Sequence, residues 1–198
     1  MKKLLILTFF SLAFAPAHAQ FSFNPKVGMN FTSITTATAD AATTAESGSH
    51  VGFNLGADLR FRKKESWFFV QPGLHYYSMG VQPVAEGASQ EEIEQIPSVS
   101  SLKLPLSGGM YLTGSDGILR IRANVGVTPT VLLGVEENQL GVSKEDYQAA
   151  TIGLNGGIGI ELLIVTLDFS YEHGLSNVYR QAEGTASTFT ISAGIRIP

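Results

Sequence analysis

From Phe21 onward the dominant pattern is an alternation of apolar and polar side chains, broken by polar connections. A period of two is the mark of an extended strand whose two faces meet different surroundings. Phe23, Pro25, Val27, Met29 and Phe31 share one face, with Asn24, Lys26, Gly28, Asn30 and Thr32 on the other. Ile152, Leu154, Ile158, Ile160 and Leu162 stand likewise against Gly153, Asn155, Gly157, Gly159 and Glu161. The same alternation runs through about 51–61, 68–77, 101–112, 119–131, 163–172 and 188–197, so eight strands are expected.

At about 10 residues each, these strands have the length a tilted strand needs to cross a bilayer; strands of soluble domains average about 5–6. An even number of strands in an up-and-down sheet can close on itself with both chain ends on one side, leaving no unpaired edge in lipid. The connections alternate in length. Long ones are expected at 34–49, 79–98, 134–149 and 174–186, and short ones at Arg62 to Glu65, Thr113 to Asp116 and Leu162–Leu163. Long loops at one end and tight turns at the other is the arrangement of outer-membrane barrels. The expected fold class is therefore all-β: an eight-stranded antiparallel up-and-down transmembrane β-barrel over 20–198.

Alternation does not say which face is inside. A lipocalin-like soluble barrel turns its apolar face inward around a greasy ligand; a membrane barrel turns it outward to lipid. Three features favour the second. The polar face mixes small residues (Gly28, Gly52, Gly56, Gly126, Gly157, Gly159, Gly194) with long charged ones, as a narrow interior requires. Aromatic residues cluster near strand ends: Phe21, Phe23, Phe61, Trp67 and Phe68 on the short-turn side, Phe31, Phe53, Tyr76, Tyr171 and Phe189 toward the long loops. Such girdles mark lipid interfaces. Finally, no flanking segment has a 3.6-residue period. Composition agrees, since charged residues are only 15% of the chain, against roughly 25% in soluble domains.

An eight-stranded barrel is only wide enough for side chains to fill. The inward set includes Lys26, Asp58, Arg60, Lys103, Arg120, Arg122, Glu161, Asp168, Glu172 and Arg196, and most of it should lie in the half near the short turns. Unpaired charge away from water is costly, so these residues are expected to form an ion-paired network. Arg120 or Arg122 with Glu161, and Lys26 with Asp58, are the expected pairs. The network reads as a polar core that holds the barrel shut; a selectivity filter is the alternative.

Residues 1–19 read as a secretory signal: Lys2 and Lys3, an apolar stretch from Leu4 to Phe14, and Ala17-His18-Ala19 as the cleavage site, so that Ala19 and Gln20 flank the cut. Loss of Lys2 and Lys3 takes the net charge from −4 to −6. A mildly acidic exported chain without a basic stripe is a poor nucleic-acid binder. The chain has no cysteine, which excludes disulfides, thiolate metal sites and a lipid-modified N-terminal Cys.

Three segments resemble a known family. Lys26-Val27-Gly28-Met29-Asn30-Phe31 resembles the first strand of the porin-family outer-membrane β-barrel domain, which includes PorT-like proteins. Val70-Gln71-Pro72-Gly73-Leu74-His75-Tyr76 is similar to its third strand, and Leu102-Lys103-Leu104-Pro105-Leu106 to its fourth. The resemblance implies a small outer-membrane barrel and no single activity; PorT-like members are associated with protein secretion. The chain departs from barrels that finish on an aromatic residue, ending Ile195-Arg196-Ile197-Pro198.

No residue pattern argues for catalysis. His50, His75 and His173 lack metal-ligand spacing. Glu172 and His173 are adjacent on one strand and so point to opposite faces, and His75 reads as an interior histidine. Gly156-Gly157-Ile158-Gly159 lies in an alternating strand with no helix after it, unlike a phosphate loop. The expectation is a non-enzymatic, monomeric outer-membrane barrel without a cofactor. Its partners are outer-membrane lipid, the barrel-assembly machinery, and a protein or surface ligand met by the long loops. The rival readings are a narrow transport pore, a secretion-associated component, a lipid-modifying enzyme and a soluble carrier.

Overall fold

A computed structural model describes residues 19–37, 44–80, 99–114, 117–135, 147–178 and 184–198. Among these the chain forms nine strands: β1 (Ala19–Ala37), β2 (Thr44–Lys63), β3 (Phe68–Gly80), β4 (Val99–Lys103), β5 (Leu106–Tyr111), β6 (Leu119–Val135), β7 (Ala150–Leu162), β8 (Val165–Gly174) and β9 (Gly184–Ile195). Each pairs antiparallel with its neighbours, and β9 returns to β1 from Lys26↔Gly194 to Thr36↔Gly184, closing the sheet.

β4 and β5 are one barrel strand. The pairs His75↔Lys103 and Pro72↔Leu106 keep a single register with β3, and Lys103↔Thr130 and Leu106↔Val127 do so with β6. The barrel thus has eight strands. The interruption falls at Leu104–Pro105, where two prolines remove ladder donors. Pro105 accepts from the Gly73 N–H at 2.8 Å but has none to return, and Pro129 stands in the same relation to Leu104 at 2.9 Å. Pro25 does likewise to the closing seam, between the Phe23–Ile197 bridge and Lys26↔Gly194.

The short connections are tight. The Ser66 N–H reaches the Lys63 carbonyl at 3.0 Å, and Glu65 takes φ 64°. Leu163, in the two-residue turn between β7 and β8, takes φ 55°, a left-handed conformation costly for a bulky side chain. The opposite strand ends run further than the alternation suggests. β1 and β2 reach 19 and 20 residues, so much of the segment expected as the loop 34–49 is paired strand, Ile34↔Ser47 through Ala37↔Thr44. β6 likewise extends to Val135 and β9 begins at Gly184. Backbone pairing continues past the point where the hydrophobic alternation fades, because the rim strands have no lipid face to pattern.

The inside and outside are inverted relative to a soluble protein. Among the described residues only Ile34, Phe69, Val99 and Tyr111 are buried apolar or aromatic side chains, whereas twenty-three polar or charged ones are buried. Val27, Met29, Leu55, Leu74, Val125, Leu154 and Ile158 all lie open on the outer face. Aromatic pairs sit at two levels: Phe21–Phe61, with centroids 5.7 Å apart, near the short turns, and Phe31–Phe189 (6.5 Å) and Phe53–Tyr76 (6.2 Å) near the other end. Phe21 and Phe31 share β1. Ten residues at about 3.3 Å, tilted about 40°, separate them by about 25 Å along the barrel axis, the height of an outer-membrane apolar band.

Candidate functional site: the barrel interior

Register decides what fits inside. Lys26 faces Gly56 on one neighbouring strand and Gly194 on the other. Asp58 faces Gly73, and Arg122 and Asp168 both face Gly159. A methyl group at Gly159 would lie 2.5 Å from Asp168 Oδ1 and 2.7 Å from Arg122 Nε. These glycines leave the room that the long side chains occupy.

The side chains meet in a ring of ion pairs and hydrogen bonds across the lumen. Glu161, fully buried, takes Arg60 Nη1, Arg122 Nε at 3.0 Å and Arg120 Nη2 at 2.9 Å, with Arg196 Nε at 3.7 Å. Arg122 Nη2 also pairs with Asp168. Lys26 Nζ bridges Asp168 Oδ2 at 2.6 Å and Asp58 Oδ2 at 2.5 Å. Gln71 donates through Nε2 to Asp58 at 2.8 Å and accepts from Arg60 Nε at 2.9 Å, which returns the ring to Glu161. Residues of β1, β2, β3, β6, β7 and β8 take part. His75 Nε2 lies 2.8 Å from Asp58 Oδ1. Arg60 stacks on Phe69 (4.9 Å to the ring centroid) and donates through Nη1 to the Tyr111 hydroxyl at 2.9 Å.

A second crossing lies nearer the long-loop end. Lys103 Nζ pairs with Glu172 at 2.9 Å across the lumen and sits 4.6 Å from the Tyr77 ring centroid. Lys26, Asp58, Arg60, Lys103, Arg120, Arg122, Glu161, Asp168, Glu172 and Arg196 thus all face inward. Lys103 and Glu172 lie in the outer half, while the other eight gather lower in the barrel. Gln71, Phe69, Tyr77 and Tyr111 belong to the same network, although only charged side chains draw attention in the sequence. Their polar-face positions in the alternation are the signal that finds them.

The two crossings divide the lumen. A vestibule of about 600 Å³ opens at the short-turn end, lined by Arg60, Arg62, Arg120 and Arg196 among others. About 80 Å³ remains between the crossings, beside Lys26, Asp58 and Lys103. A cavity of about 240 Å³ lies at the outer mouth. There the inward face is mixed: Ile34, Met79, Val99 and Leu132 line the cavity beside Thr32, His50, Thr130 and Thr188. This corrects the expectation of an inward face built of glycine, polar and charged residues throughout.

His173 is exposed on the outer face, its Nδ1 3.1 Å from Ser187 Oγ, while Glu172 points into the lumen. Among the described residues no group of three or more His, Asp or Glu side chains is placed to hold a metal ion. Gln20 Oε1 accepts from Arg62. Apart from Ala19, the expected signal segment lies outside the described residues.

The sequence matches the family model for the outer membrane protein beta-barrel domain over residues 15–180. The chain belongs to that family. It is an integral protein of the bacterial outer membrane, and the apolar band and girdles above are its lipid surface. A search of curated proteins finds no match. Among solved structures it is similar in fold to Neisserial surface protein A, at 13% identity and a TM-score of 0.54 over 88% of this chain and 96% of that one. Ail, the attachment invasion locus protein of Yersinia pestis, is also similar, at 12% identity and a TM-score of 0.50 over 90% and 99%. The outer membrane enzyme PagL matches at 13% identity, with a TM-score of 0.47 over 85% and 99%. At these identities the likeness is one of fold.

Proposed function

We propose that this protein is a non-enzymatic interaction barrel: a closed, monomeric scaffold in outer-membrane lipid that presents a contact surface at its outer mouth to a protein or other cell-surface ligand. The observation that carries this reading is the ring through Glu161, Arg122, Asp168, Lys26, Asp58, Gln71 and Arg60. Charged side chains paired across a lumen this narrow are a filling, and separating them costs several kcal/mol. Connections 38–43, 81–98, 136–146 and 179–183 all leave from one end of the barrel, and a rigid scaffold carrying loops at one end is the usual placement of binding residues. Its partners in the envelope are outer-membrane lipid and the barrel-assembly machinery that inserts such barrels. A secretion-associated role is the second reading for that surface; it rests on the resemblance of segments in β1, β3 and around Leu104–Pro105 to the porin-family barrel domain, which includes PorT-like proteins.

Planar-bilayer recording tests the closed lumen. The refolded protein is expected to give no steady conductance; an ohmic conductance abolished by Arg122→Ala would replace this reading with a pore. Incubation with labelled lipopolysaccharide or phospholipid is expected to leave both intact. Turnover lost on His75→Ala or His173→Ala would make the protein an enzyme.

A further inference from the structure

Above the Lys103–Glu172 crossing the lumen changes character. Among the described residues only four apolar or aromatic side chains are buried, and two of them, Ile34 and Val99, line the cavity at the outer mouth. The other two, Phe69 and Tyr111, are occupied by Arg60. Ile34 and Val99 cradle no such charge. With Met79 and Leu132 they wall about 240 Å³ of open space. Their strands have already passed the outer girdle at Phe31 and Phe53, and they face inward, so contact with lipid does not account for them. Apolar walls around open space leave dispersion contacts unmade that an occupant would supply.

The polar part of the lining is almost free of net charge. Among the described residues lining the cavity the charged side chains are Lys103 and Glu172, which neutralise each other at 2.9 Å and form its floor. Burial holds the His50 imidazole below its ordinary value, so it is neutral at pH 7. Its Nδ1 is buried without a hydrogen-bond partner. An ion entering here would lose hydration with no unpaired counter-charge to meet it. A benzene-sized molecule fills an apolar cavity of about 150 Å³. The outer mouth, at about 240 Å³, takes a body roughly half as large again.

We propose that the outer mouth is a binding site for a small uncharged alcohol, its apolar body held by Ile34, Met79, Val99 and Leu132 and its hydroxyl met by His50 Nδ1. A hydroxyl both donates and accepts, so it suits either tautomer of the imidazole. The ligand enters and leaves on the outer side, because the Lys103–Glu172 crossing closes the way inward. The site rests on the closed interaction barrel proposed above and gives its outer surface a ligand class.

Methyl NMR of the refolded full barrel in nanodiscs tests this with phenethyl alcohol, and with phenylacetate and phenethylammonium as charged molecules of similar body. The alcohol is expected to shift the Ile34, Val99 and Leu132 methyls saturably, while those of Val125 and Leu154 on the lipid face follow only its partition into the bilayer. Both ions are expected to bind at least about fivefold more weakly. Leu132→Gln, and Ala186→Leu, which fills the cavity without adding polarity, are each expected to weaken the alcohol at least about fivefold. His173→Gln, exposed at the same end and outside the cavity lining, leaves binding unchanged. Heat-modified gel mobility reports whether each variant is folded, and Ala186→Leu serves alone if Leu132→Gln is not. No saturable shift of the lumen methyls, ions that bind as well as the alcohol, or binding that both cavity variants leave unchanged overturns the site. Absence of binding in a barrel that does not conduct overturns the site alone; steady conductance in the bilayer recording overturns the closed reading on which it rests.

Discussion

Replacing Glu161 by Gln removes the one carboxylate on which four guanidinium groups converge. The side chain is fully buried, and Arg120 and Arg122 lie 2.9 and 3.0 Å from it. Removing one partner of a buried ion pair costs about 3–5 kcal/mol, chiefly because the remaining charge is stranded. Here the stranding is partial. Arg122 keeps Asp168, Arg60 keeps Gln71 and Tyr111, and the vestibule admits water to Arg120 and Arg196. The lower end of the range therefore applies, about 3 kcal/mol. The assay is reversible urea unfolding of the barrel in phospholipid vesicles. Trp67, the only tryptophan, lies half exposed at the short-turn girdle and reports the transition by fluorescence. Adding Arg60→Met to Glu161→Gln should recover at least about 1 kcal/mol, since it removes a stranded charge. A loss below about 1 kcal/mol for Glu161→Gln, with no recovery in the double variant, would refute the view that this network holds the lumen together.

Other outcomes follow from the same geometry. Gly159→Ala should cost about 1–3 kcal/mol by overpacking, whereas Gly108→Ala, with no atom within 4 Å of the new methyl, should be near neutral by the same urea titration. Leu55→Arg, on the lipid face at the level of Lys26 between the two girdles, should lose about 2–4 kcal/mol; Phe68→Arg at the short-turn girdle should lose about 1 kcal/mol or less. Leu163→Gly should hold or raise stability by about 1 kcal/mol, because Leu163 takes φ 55°, while Leu163→Val should lower it by a similar amount.

The barrel is legible in the sequence because lipid on one side and packed side chains on the other impose a strict period of two. Ile152 through Leu162 spell out β7 almost without exception. The tight turns are legible for the same reason, since the alternation has little room to pause at Leu163. The outer rim is less so. Where strands rise past the membrane no solvent contrast remains, so the Ile34↔Ser47 pairing and the inward Ile34, Val99 and Leu132 leave no periodic trace. Inside, the alternation puts Lys26, Arg60, Arg122 and Glu161 on one face. Which of them touch depends on stagger around the closed cylinder, and no local pattern encodes that. The Gln71 link between Asp58 and Arg60 is an example, as is the cradle that Phe69 and Tyr111 make for Arg60.

The orientation of the two faces can be read directly. The chain has no cysteine, so single-cysteine variants from Ile152 to Leu162 can each carry one nitroxide in a lipid bilayer. Oxygen, which concentrates in hydrocarbon, should relax labels at 152, 154, 158, 160 and 162 strongly and those at 153, 155, 157 and 159 weakly, a period of two along β7. The opposite phase, or no alternation, would mean that the apolar face does not meet lipid.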